Sequence, residues 1–210
     1  MTELTIKQFV IDYFSNQSSG RFLEIGANDG EPYNNNEPFW GLVEKNWSGV
    51  YCEPNPIACS QLIKNVMPYG DKIKIVNGAL STDVGLKTFY VSVDSKGPSS
   101  SLHSEWMAQQ TYHKPNDRQY PIITNSFTLE NLLDSVGYDF DAMSIDIETN
   151  EYQLEQMLHD FNFSKLNNCK LIMLEVCSKK ITQSLLNLGY SINTTVPNKS
   201  DTGVNLIFTR

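Results

Sequence analysis

Positive charge is scarce in this chain. Its 16 Lys and Arg stand against 24 Asp and Glu, for a formal net charge of -8, whereas nucleic acids are held by clustered Lys and Arg. No nucleic-acid partner is expected, and a small-molecule one is. Long apolar runs are missing too: none reaches the roughly 18 residues of a membrane-spanning helix. Glu3 and Asp12 stand where a signal peptide would carry a basic region and an apolar core, so the expectation is no membrane insertion and a cytosolic location. The 4 cysteines, Cys52, Cys59, Cys169 and Cys177, show neither Cys-x-x-Cys spacing nor a neighbouring histidine cluster. That excludes the closely paired ligands of a structural zinc site and leaves reduced, buried thiols. Repeats are absent, and Asn34, Asn35 and Asn36 read as a polar loop. Two phosphate-binding patterns are missing as well, Gly-x-Gly-x-x-Gly and Gly-x-x-x-x-Gly-Lys-Ser/Thr, so a pyrophosphate cradle and a phosphate lysine are both excluded.

What is present instead is the run Phe22-Leu23-Glu24-Ile25-Gly26-Ala27-Asn28-Asp29-Gly30. A short apolar stretch broken by two glycines predicts a buried parallel strand feeding a tight loop, with Gly26 free to adopt positive φ and bring backbone close to a ligand. Glu24 and Asp29 would repel a pyrophosphate but accept hydrogen bonds from ammonium or hydroxyl groups. S-adenosylmethionine carries both. A second strand, Gly49 to Glu53, ends in an acid where an α/β nucleotide fold puts its ribose-binding carboxylate, so Glu53 is expected to clamp the two ribose hydroxyls.

At 210 residues the chain suits a single domain spanning 1–210. An amphipathic helix is predicted over 4–14, a crossover helix over 37–45, and a helix that Asn55 caps and Pro56 opens. A third strand over 72–76 leads to Gly78 and Ala79, at the level of a bound adenine, and a further strand, a candidate edge, covers 87–93. Residues 94–121 lack periodicity and carry Trp106, Tyr112, His103 and His113, which predicts a substrate lid or pocket wall. A helix over 128–136, a strand over 140–147, a capping box at Asn150 and Gln153, a strand over 170–176, a helix over 181–188 and two closing strands complete the series. Alternating strands and helices predict an α/β fold, a doubly wound, mostly parallel, Rossmann-like sheet. Ligands then bind at the carboxyl ends of the strands, where Asp146 and Glu148 would face the reacting group. Charge balance at the helix after Asn150 accounts for the same two acids. Asp146 and Glu175 also offer hard oxygen ligands of the kind that suit Mg²⁺. His113, with an ordinary pKa near neutrality, is a second candidate base.

The run 22–30, the segment Trp47-Ser48-Gly49-Val50-Tyr51-Cys52-Glu53-Pro54-Asn55-Pro56 and the segment Ser144-Ile145-Asp146-Ile147-Glu148 resemble FkbM-type S-adenosylmethionine-dependent methyltransferases. Asn77 to Ser81, Ser100-Ser101-Leu102 and Phe127-Thr128-Leu129 agree in order with the same family. The resemblance implies a class I methyltransferase fold whose seven-stranded sheet ends in an antiparallel hairpin, and O-methylation of sugar, glycan or natural-product hydroxyls. It implies a cofactor site at Glu24, Gly26, Asn28, Asp29, Gly30, Glu53, Pro54, Gly78, Ala79 and Ser101. Ser144 and Thr149 stand where the family usually has lysine and glycine. A binding module that keeps the cofactor pocket without turnover is the alternative reading, and a nicotinamide oxidoreductase a distant third.

Overall fold

The computed structural model describes residues 4–30, 37–92, 100–103, 119–193 and 206–210. Its centre is a seven-stranded sheet of β1 (Arg21–Ile25), β2 (Ser48–Cys52), β3 (Ile73–Val76), β7 (Ala142–Ile145), β8 (Leu171–Leu174), β9 (Ser191–Asn193) and β10 (Leu206–Thr209). The order is β3-β2-β1-β7-β8-β10-β9. The first five are parallel, and β10 runs antiparallel to both neighbours, so the doubly wound sheet and its closing hairpin are as expected.

Strand alternation sorts the side chains onto two faces. Phe22, Tyr51, Ala142, Leu171 and Ile207 point to one, where α1 (Ile6–Tyr13), α2 (Trp40–Glu44) and α3 (Pro56–Val66) pack through Phe9, Val10, Leu42 and Leu62. Leu23, Val50, Met143, Ile172 and Phe208 point to the other. There α4 (Leu129–Val136), α5 (Glu151–Leu158) and α6 (Lys179–Asn187) supply Leu132, Leu133, Leu154 and Leu185. The helices start where local chemistry satisfies their free N–H groups. Asn55 Oδ1 accepts from the Ile57 N–H at 3.0 Å with Pro56 in the first turn, and Asn150 and Gln153 form the capping box of α5.

A second sheet, order β4-β6-β5, joins β4 (Ala79–Leu80), β5 (Gly85–Ser92) and β6 (Gln119–Phe127). The strand predicted over 87–93 is the edge strand β5 of this small sheet. The irregular segment 94–121 ends earlier than predicted, because Gln119 to Pro121 already belong to β6 and pair with β5. Pro121 obscured that strand. It is tolerated because β4 reaches β6 only at Ser126 and Phe127, leaving the proline one paired neighbour. Within the segment, Ser101 bridges Tyr90 through two backbone hydrogen bonds of 2.8 and 3.1 Å. Of the predicted lid, residues 94–99 and 104–118, His113 included, lie outside the described residues.

Candidate functional site

Sheet order reverses direction between β1 and β7, and a cleft opens at the carboxyl ends of these strands, as expected of an open α/β sheet. Its first wall is the loop after β1. Gly26 has φ +94°, and a Cβ there would lie 1.7 Å from the Asp146 carbonyl oxygen, so only glycine permits this approach. The N–H groups of Gly26 and Ala27 both donate to the Cys52 carbonyl, at 2.9 and 3.1 Å. Asn28 follows in the left-handed region at φ 49°, and its N–H donates to Glu53 Oε2 at 2.8 Å. The Asn55 N–H donates to Glu53 Oε1 at 2.7 Å, and Asn77 Nδ2 to the Glu53 carbonyl at 2.7 Å. Each Glu53 carboxylate oxygen thus has one backbone donor and one lone pair left for a ligand. Burial pushes the Glu53 carboxyl up to about 7, against the opposing pull of those two N–H groups.

Gly78, Ala79, Leu80 and Phe89 form the second wall, with Ser101, Leu102 and His103 beside them. Ser101 Oγ donates to the Glu148 carbonyl at 2.7 Å and accepts from the His103 N–H at 3.1 Å, tying the small sheet to the segment after β7. Asp146, Ile147, Glu148 and Thr149 close the cleft.

Of the residues singled out from sequence, Gly26, Asn28, Glu53, Pro54, Gly78, Ala79, Ser101, Asp146 and Glu148 line this one cleft, and Glu24, Asp29, Gly30 and Glu175 stand outside its lining. Asp29 uses its carbonyl to accept from Asn65 Nδ2 at 2.8 Å, and Gly30 turns the chain at φ 57° against Leu62. Glu24 is buried on the opposite face of β1, in register with Tyr51 and Ser144. There it lies beside Glu37, and Glu24 Oε2, Glu37 Oε1 and the Tyr51 hydroxyl have no hydrogen-bond partner among the described residues. Burial and the adjacent Glu37 hold the Glu24 carboxyl well above its ordinary range. Ser144, where the resemblance leads one to expect lysine, brings no cation to Glu24. His103, expected from sequence within the lid or pocket wall of 94–121, lines the cleft, and Phe89 lines it although sequence reasoning assigned it only to a strand.

Asp146 lines the cleft and is exposed to solvent; desolvation by the surrounding protein nonetheless raises its carboxyl, and the adjacent Glu175 pulls the other way. Glu175 itself is raised to about 10 by burial and by Asp146 and Glu148. Among the described residues no group of three His, Cys, Asp or Glu side chains is placed to hold a metal ion. No such group includes Asp146 and Glu175, so the expected Mg²⁺ at this pair is not supported. No described helix is long and apolar enough to cross a membrane. The four cysteines are free, three of them buried and Cys177 half-buried.

The cleft thus presents three carboxylates, one histidine and no Lys or Arg among its described lining residues, an environment for a ligand with positive charge and hydroxyl groups. A family model described as the methyltransferase FkbM domain matches residues 24–192. No curated protein matches the chain. Among solved structures, Streptococcus pneumoniae Sp1610, provisionally described as a tRNA (m1A22) methyltransferase, is 11% identical, with 96% of this chain and 68% of that one covered and a TM-score of 0.50. A TehB-like S-adenosylmethionine-dependent methyltransferase from Corynebacterium glutamicum is 11% identical, covering 99% and 89%, with a TM-score of 0.48. Aeropyrum pernix fibrillarin is 10% identical, covering 99% and 70%, with a TM-score of 0.47. At 11% identity the likeness to Sp1610 is one of fold.

Proposed function

The chain belongs to the methyltransferase FkbM domain family and has the class I methyltransferase fold, and from that premise we propose that it is an S-adenosylmethionine-dependent O-methyltransferase acting on a hydroxyl of a sugar, a glycan or a small natural product. One observation carries the reading: Glu53 keeps a free lone pair on each oxygen on one side of the cleft, Asp146 and Glu148 stand on the other, and no described lining residue is Lys or Arg. Such a cleft suits a cationic sulfonium nucleoside and disfavours a pyrophosphate.

In this reading Glu53 accepts from both ribose hydroxyls, the Gly26–Asn28 backbone approaches the amino-acid end, and Gly78, Ala79 and Phe89 pack along the base. Bound there, S-adenosylmethionine supplies a methyl group activated by its sulfonium. The chain's own contribution is positional first. Holding an acceptor oxygen in line with the methyl carbon is worth several kcal/mol, and a base that takes the hydroxyl proton adds roughly 10² to 10⁴-fold. Asp146 is that base, with Glu148 and His103 next to it in the lining. The single-domain organisation and a role for residues 94–121 in covering the acceptor belong to the same proposal, as does a small-molecule or glycan partner in preference to RNA, which the net charge of -8 supports.

The test is incubation with methyl-labelled S-adenosylmethionine and separate panels of sugars, polyphenolic or other small hydroxyl compounds, and RNA, read by mass spectrometry. Calorimetry of cofactor binding runs in parallel. A methyl ether on a hydroxyl compound is the expected product. Methylated RNA would overturn the acceptor class, cofactor binding without transfer would favour a binding module, and no binding at all would overturn the cofactor assignment.

A further inference from the structure

The small sheet leaves the outer edge of β5 open over part of its length. Tyr90 exchanges two backbone hydrogen bonds with Ser101 across that edge, at 2.8 and 3.1 Å, and among the described residues no strand pairs with the edge before that point. In an antiparallel strand the peptide groups of alternate residues point the same way, so Leu86 and Thr88 also send their N–H and C=O groups outward. Pro121 agrees with this phase. It stands opposite Tyr90, at a pair whose hydrogen-bonding groups face away from each other, so its missing N–H takes no bond from β5. Phe89 and Val91 fill the inner face of the sheet, and the outer face of the same stretch is apolar or neutral. Leu86 is 72% exposed, Ile123, in register with Thr88, is 66% exposed, and Val84 just before the strand is 60% exposed.

We propose that this edge receives a second copy of the chain, β5 pairing antiparallel with the partner's β5 about a two-fold axis, so that two three-stranded sheets become one of six strands. An open edge calls for an extended strand, and β5 is itself such a strand, self-complementary under a two-fold. Charge selects this occupant. The chain carries 24 acidic against 16 basic residues, so contact between copies elsewhere brings like charge together, whereas 83–92 and all of β6 hold just two charges, Asp83 and Lys87, of opposite sign. Charge also selects the register. Leu86 against the partner's Thr88 would set Lys87 opposite the partner's Lys87, a like-charge pair. Thr88 against the partner's Thr88 would set Leu86 against the partner's Tyr90, whose edge groups Ser101 already holds. Leu86 against the partner's Leu86 avoids both. Lys87 then faces the partner's Gly85 with the partner's Asp83 next along that face, so the Lys87–Asp83 pair found within each chain at 2.6 Å gains a counterpart across the axis. The proposal does not rest on the methyl-transfer reading.

Sedimentation velocity of the wild-type protein, from micromolar to millimolar concentration, should show a monomer–dimer equilibrium. Leu86→Lys changes an exposed side chain and sets like charges face to face across the axis, so it should weaken the dimer roughly tenfold or more. Ile57→Lys, at a comparably exposed apolar position on α3, should leave the dimer unchanged. Cross-linking reads the register. Residues opposite each other in a hydrogen-bonded antiparallel pair have Cα atoms about 5.5 Å apart, within disulfide reach. Mild oxidation should therefore give a covalent dimer of Leu86→Cys on a non-reducing gel. The wild type should give none, nor should Thr88→Cys, whose two copies lie about 14 Å apart in this register. A wild-type protein that is monomeric at millimolar concentration overturns the second copy as occupant and leaves the edge to an extended segment of another protein. A dimer that Leu86→Lys leaves intact, or that Ile57→Lys weakens equally with both variants folded by circular dichroism, overturns the surface. Cross-linking of Thr88→Cys in preference to Leu86→Cys overturns the register.

Discussion

Glu53 shows how a residue can be committed to its own protein and still serve a ligand. Two backbone N–H groups fix the carboxylate plane, and the remaining lone pairs face the cleft. Replacing it with Ala removes a charge-assisted acceptor pair, for which about 1.5 to 3 kcal/mol is the usual loss. Calorimetry should therefore find S-adenosylmethionine bound tenfold to over a hundredfold more weakly; unchanged affinity in a folded variant removes Glu53 from the site. Asp146→Asn separates binding from chemistry. It keeps the shape and removes the base, so turnover should fall by roughly 10² or more while cofactor affinity stays within a few-fold. Near-normal turnover would leave Asp146 as charge balance ahead of α5.

The loop after β1 works as an element, because its geometry is set from three sides: by Cys52 beneath it, by Glu53 through Asn28, and by the Asp146 backbone against Gly26. Gly26→Ala would add a Cβ in a position that needs positive φ and that backbone already fills. Strain of this kind is typically about 1–3 kcal/mol before the clash is counted. The contrast is Gly70→Ala, where φ is +63° but nothing lies within 4 Å. Denaturant unfolding should rank Gly26→Ala as clearly the less stable, and cofactor binding should be lost only there; equal effects would show that the close approach to Asp146 does not matter.

Across the whole molecule, a recurrent feature is carboxyl groups held above their ordinary range. Burial raises Glu24, Glu37, Glu53 and Glu175. A raised carboxyl binds its proton more tightly in the folded chain than in the unfolded one. Its stabilising contribution is therefore complete below the unfolded pKa and is lost as pH climbs through the folded one. Glu37 and Glu53, both raised to about 7, place that loss between roughly pH 4.5 and 7, and Glu175, at about 10, extends it. The ligand-free protein should accordingly melt at a higher temperature near pH 5 than near pH 8, and the net charge of -8 acts in the same direction. A melting temperature that rises over this interval would show that these acids are solvated and ionised.

Where sequence alone decided the outcome, the determinants were local. Phe22 to Gly30 read as strand and loop because apolar alternation and two glycines admit little else. Asn55-Pro56 and Asn150 with Gln153 announced their helices because a cap and its N–H lie within three residues of each other. Tertiary structure alone decided matters that depend on register between distant strands. Nothing near Glu175 announces Asp146, since 29 positions separate them and only the β7–β8 ladder sets them side by side. Glu24 and Glu37 meet only because α2 packs on the face of β1 that carries Glu24. β6, with its proline, becomes a strand only once β5 pairs with it. Local chemistry decides which segments can form, but the raised carboxyls of Glu24, Glu37 and Glu53 are settled by desolvation, a property of the assembled interior that no single stretch of chain possesses.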